Sequence, residues 1–214
     1  MSQFARGCVG AAMMLMLVLS VTTLQAQVGK SQGVGDANTI AEKDLATMPH
    51  MTPAIAKALV AQRPFNSILD LQKFLVAQGL TPEQAMEFYG KAFVHINLNT
   101  ATAEEILLVP GAGRRMTREF AEYRPWKTYA QFDKEIGKYV GPEATAKLAQ
   151  YTFIPMNPNT ASDADLQTLP GATAATVAAI KSGRPYASAS ALEQALVKAT
   201  DARDGKRLAR YFAF

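Results

Sequence analysis

Cysteine is almost missing: among 214 residues there is one, Cys8, and it lies in the first few turns' worth of chain. A chain that loses this segment has no thiol, so disulfides, Cys-based zinc sites and thiolate catalysis are excluded. Histidine is scarce too. His50 and His95 are the only two, with no HxxxH or His-carboxylate spacing, which argues against a metal centre. No Gly-rich nucleotide loop of Walker or Rossmann type occurs. Strand-like alternation is rare, so the fold class expected is all-α. No apolar run reaches the ~20 residues of a membrane-spanning helix. Charge of one sign is also in short supply, with 22 Lys+Arg against 18 Asp+Glu.

The apolar run that does exist is N-terminal. Arg6 precedes Val9 to Val21, and Ala26 closes a short polar stretch, the pattern of a signal peptide over residues 1–26. Cleavage after Ala26 is expected, with retention as an anchor the alternative. The chain is expected to be exported, to the periplasm or beyond. Residues 27–36 (QVGKSQGVGD) read as a flexible lead.

After residue 36 the chain repeats itself. Asn38-Thr39, Asn99-Thr100 and Asn159-Thr160 open segments spaced 61 and 60 residues apart. Each segment gives an apolar helix ending at Met48, Val109 or Leu169, then Pro49, Pro110 or Pro170. A second helix stops at Arg63-Pro64-Phe65, Arg124-Pro125-Trp126 or Arg184-Pro185-Tyr186. The repeats are bounded as 37–97, 98–157 and 158–214. A 60-residue repeat without disulfides buries a marginal core, so neighbours are expected to stack into a semi-rigid row. The repeated arginines sit at helix ends, where a cation meets terminal carbonyls. Phe65, Trp126 and Tyr186 read as core plugs.

The second repeat carries the most informative stretch, Val109-Pro110-Gly111-Ala112-Gly113-Arg114-Arg115. Thr102 with Glu105 forms a capping box upstream. Met116, Phe120 and Tyr123 recur at helical spacing downstream. Gly111 and Gly113 are expected to supply positive-φ backbone to the turn. The start of the following helix is a ready anion site, beside Arg114, Arg115 and Arg118. The third repeat keeps one glycine, in Gly171-Ala172-Thr173, and the first has His50-Met51-Thr52. The second turn is therefore the main candidate, the third a possible second, and the first structural. Net charge by repeat runs 0, +1 and +2, with Lys206, Arg207 and Arg210 bunched near the end. A solvated helix face is the first reading of that bunch, with Lys206 and Arg207 as DNA contacts the second.

The run LLVPGAGRRMTREF resembles the helix-hairpin-helix motif, and the lead-in INLNTATAEEIL is similar to the repeat of secreted competence proteins of the ComEA type. The resemblance implies three tandem helix-hairpin-helix units stacked in a row. It also implies sequence-indifferent binding of double-stranded DNA through its phosphates, in DNA uptake beside an exported or membrane protein. The expected contacts are Gly111, Ala112, Gly113, Arg114, Arg115 and Arg118, then Gly171, Ala172, Thr173, Lys206 and Arg207. No cofactor and no catalysis are expected. A protein–protein scaffold is the alternative, because similar folds occur without DNA function among extrinsic lumenal proteins of photosystem II.

Overall fold

The computed structural model of the chain describes Val28 and residues 33–214. The leader read over residues 1–26 lies outside the described residues. The described part is mainly helical, with eleven helices and four two-residue strands. The first repeat runs β1 (Gly35–Asp36), α1 (Glu42–Leu45), α2 (Pro53–Gln62), α3 (Ile68–Ala77), α4 (Pro82–Tyr89) and β2 (Ala92–Phe93). The second runs β3 (Ile96–Asn97), α5 (Ala103–Leu107), α6 (Arg114–Glu122), α7 (Tyr129–Ala149) and β4 (Thr152–Phe153). The third holds α8 (Asp163–Gln167), α9 (Ala174–Ser182), α10 (Ala189–Ala199) and α11 (Ala202–Ala209). Gly141, at φ 77°, and Pro142 break α7 into two segments, which restores the four-helix order of the other repeats.

Local chemistry sets the helix starts. Ser67 with Asp70, Thr81 with Gln84, Thr102 with Glu105 and Ser162 with Asp165 each form a reciprocal capping box, satisfying amides that an α-helix leaves unpaired. Pro53 and Pro82 stand at the first turns of α2 and α4, where no N–H is needed.

One set of hydrogen bonds then occurs three times. Asn38, Asn99 and Asn159 each pair their side-chain amide with the backbone of a residue 27 positions on: Phe65, Trp126 and Tyr186. Arg63, Arg124 and Arg184 each donate from Nε and Nη2 to two carbonyls of the loop before the first helix. These carbonyls lie 26 and 23 residues upstream, so the arginines tie the entry loop to the second helix rather than capping their own helix ends. Entry and exit of each repeat also meet in parallel pairing: β1 with β2, β3 with β4, and Met156 with Phe212.

Two expectations need correction. Part of the lead at residues 27–36 belongs to the fold. Val28, Val34 and Asp36 are buried, and Gly35–Asp36 is a paired strand. Nor do the repeats stand in a row. The third returns to the first: Tyr211 donates to Asp36 at 3.0 Å, and Arg203 and Arg210 donate to the carbonyls of Arg63 and His95. The first two repeats share one hydrophobic core from Val34 to Ile154, while the third has its own around Leu166, Ile180 and Leu208. The junctions are packed, with Val94, His95, Ile96, Ile154 and Met156 all buried.

Candidate nucleic-acid interface

The three turns share one backbone shape. Gly111 at φ 85° and Gly171 at 76° have His50 at 60° as their counterpart, so the left-handed residue persists where glycine does not. Nothing lies within 4 Å of a Cβ built on Gly111. Gly111→Ala is therefore expected to cost backbone strain alone, about 1 kcal/mol, read as a lower denaturant midpoint with an unchanged slope.

Gly113 departs from its expected role. Its φ of −87° and ψ of 179° are ordinary extended backbone, and it is the N-cap of α6. Thr52 and Thr173 occupy the same place in the other repeats, and each accepts from the amide three residues on, at 3.2 Å. Glycine has no such oxygen, so α6 starts without a side-chain cap. Ala112 also departs from the role of a phosphate contact. It is buried, and its N–H donates to the Val109 carbonyl at 2.9 Å, closing the hairpin rather than facing a ligand. Ala172 does the same with Leu169.

The arginines after the second turn divide into two kinds. Arg114 is exposed and makes no ion pair among the described residues. Arg115 Nε and Arg118 Nη2 lie 3.6 and 3.2 Å from Glu119 Oε1, whose side chain is only 3 % exposed. The Arg115 guanidinium also rests 4.3 Å from the centre of the Tyr139 ring, a cation–π contact. Burial acts to raise the Glu119 pKa. Hydrogen bonds from Arg118 and Tyr139, with the charges of Arg118 and Arg115, outweigh it and hold the carboxyl below its ordinary value. Tyr139 in turn bonds Tyr123 at 2.7 Å, and that bond, with burial and Glu119, pushes its phenol up. The result is two guanidiniums on α6 gathered at one carboxylate, beside a third with no ion pair among the described residues.

The other candidate sites are engaged within the protein. A Cβ on Gly171 would sit 3.0 Å from Thr39 and 3.2 Å from Arg207. Arg207 is 2 % exposed, bonding the Pro170 carbonyl and Asp204 at 2.9 Å each. The third turn is thus filled by a first-repeat side chain and a cation of α11, and Arg207 is removed from the candidate surface. The helical step turns it inward while Lys206 stays exposed. Thr173 is occupied by capping Thr176. At the first turn, His50 Nε2 lies 2.8 Å from Glu87, placing a carboxylate where a phosphate would approach.

Glu119 and Tyr139 were not expected at the site. A signal existed in the chain itself: Glu119 sits one turn after Arg115, and the corresponding residues of the other repeats are Ala58 and Ala179. The chain matches no protein-family model, no curated protein and no solved structure.

Proposed function

We propose that this chain is an exported, non-enzymatic protein that grips the backbone of double-stranded DNA without reading its sequence. On this reading the three repeats are helix-hairpin-helix units, and the leader over residues 1–26 is a cleaved signal peptide. The biological setting proposed is a receptor in DNA uptake, alongside an exported or membrane partner. One observation carries the reading: only the second turn joins an uncapped helix start to Arg114, Arg115 and Arg118. Unpaired amides and the helix dipole favour an anion there, and the arginines supply charge-assisted donors in a planar fork.

Three neutralised phosphates give a slope of log K on log salt of about −2.7. Arg114→Ala is the cleanest variant, because Arg115 and Arg118 also hold a buried carboxylate. It is expected to weaken binding to random duplex DNA about tenfold at low salt and to flatten the slope by about 0.9. A salt-titrated gel shift reads both. Absence of a shift at low salt would overturn the proposal. The second reading, a protein–protein scaffold, is favoured by the near-balanced charge and by the engagement of the first and third turns. A missing shift would promote it.

A further inference from the structure

We infer that the DNA footprint continues from the second turn into the cleft between the first and second repeats, where Lys91 and Lys147 hold further phosphates. The inference rests on the DNA reading and assigns its second contact. Three phosphates held by one turn give weak binding, and a second contact on the same chain adds affinity through effective concentration. The other two turns are poor sources: Thr39 and Arg207 fill the third, and Glu87 stands at the first.

The cleft adjoins the main candidate directly. Its walls include Pro110 and Gly111 of the second turn, Gly33 of the lead, Gly90 of the first repeat, and Lys91 and Lys147. Among the described residues no carboxylate lines it, and its volume of about 460 Å³ admits a phosphodiester segment. Glycine on both sides keeps the walls low, so a sugar-phosphate strand can approach the backbone. Both lysines are exposed. Lys147 pairs with Glu143 at 2.9 Å, and both partners are mostly in solvent, a weak pair that a phosphate displaces. Duplex DNA carries a charge every ~1.7 Å of its axis, so cations ranged around one turn meet several phosphates at once. Lys91 and Lys147 come from different repeats, which share one packed core.

The test compares the protein with its Lys91→Ala/Lys147→Ala and Lys181→Ala/Lys198→Ala variants, titrating a random-sequence duplex across a salt series. The second pair removes equal charge from exposed positions of the third repeat. The cleft variant is expected to bind about tenfold or more weakly at low salt, with a slope flatter by about 1.8. Its thermal melting should be unchanged, because neither lysine is buried. The third-repeat variant should keep the parent slope. Binding by the parent protein with an unaltered slope in the cleft variant overturns this inference and leaves the DNA reading standing. Equal losses in both variants also overturn it, since the effect is then diffuse charge. No binding by the parent protein at low salt overturns the DNA reading itself.

Discussion

Replacing Arg124 by alanine is expected to destabilise the protein by about 3 kcal/mol, while lysine at the same place recovers less than half. The Arg124 guanidinium donates from Nε to Leu98 at 2.8 Å and from Nη2 to Ala101 at 2.6 Å. A hydrogen bond from a charged donor contributes roughly 1.5–3 kcal/mol, and partial exposure of the side chain keeps the total near the lower end for two. A lysine carries the charge but is a single point, and one ammonium does not reproduce a fork spanning two carbonyls. The bonds fix the entry loop that presents α5 and the turn after it, so the site loses its support along with the fold. Equilibrium denaturation of Arg124→Ala and Arg124→Lys measures the effect. If Arg124 were instead a phosphate ligand, alanine would remove DNA binding and leave the denaturant midpoint where it was. Arg63 and Arg184 make the same two bonds in their own repeats, so a similar loss in each supports the structural role.

What was legible in the sequence was local or periodic. Asn38, Asn99 and Asn159 recur with the Arg-Pro pairs because each serves a fixed separation of 27 or 26 residues, and the structure uses those separations as hydrogen bonds. The capping box at Thr102 needs only four adjacent residues, and it formed as read. The second turn stood out because its glycines differ from its sister turns. Conformation within that turn was half legible. Gly111 takes positive φ, but the sequence does not distinguish a glycine needed for its backbone from Gly113, whose effect is a missing capping oxygen. The return of the third repeat to the first was not legible. It is made by polar contacts between residues 115 to 175 positions apart, and no hydrophobic period announces such contacts. The burial of Arg207 was not legible for the same reason. In the run Lys206-Arg207-Leu208-Ala209-Arg210 all three cations look alike, and only the packed structure shows that Arg207 turns to Pro170 and Arg210 to His95 while Lys206 stays exposed.

Acid is expected to loosen that return selectively, through Asp36. Its Oδ1 accepts the Asn38 N–H at 2.8 Å, and its Oδ2 accepts from Tyr211 at 3.0 Å and from His95 Nδ1 at 3.4 Å. The carboxylate only accepts, so the imidazole nitrogen facing it carries the proton. Burial opposes ionisation of Asp36, but the hydrogen bond and charge of His95, the Asn38 amide and the charge of Arg207 prevail, and the carboxyl is held down at about 2. A folded-state pKa below the unfolded value of ~3.9 means stability present above pH 4 and lost as pH falls towards 2, amounting to roughly 2–3 kcal/mol. Asp36→Asn should lose about that amount at neutral pH and show less of the further decline between pH 4 and pH 2. Denaturant midpoints of both proteins across that window decide it, and parallel pH profiles would remove Asp36 as the cause. Location makes a second demand. Asp36 lies three residues before Thr39, which covers Gly171, so weakening the contact should uncover the third turn. Hydrogen exchange in Asp36→Asn should accordingly rise in α11 and around Gly171 before it rises in α6 and α7, whose core is a cluster shared with the first repeat and separate from that of the third.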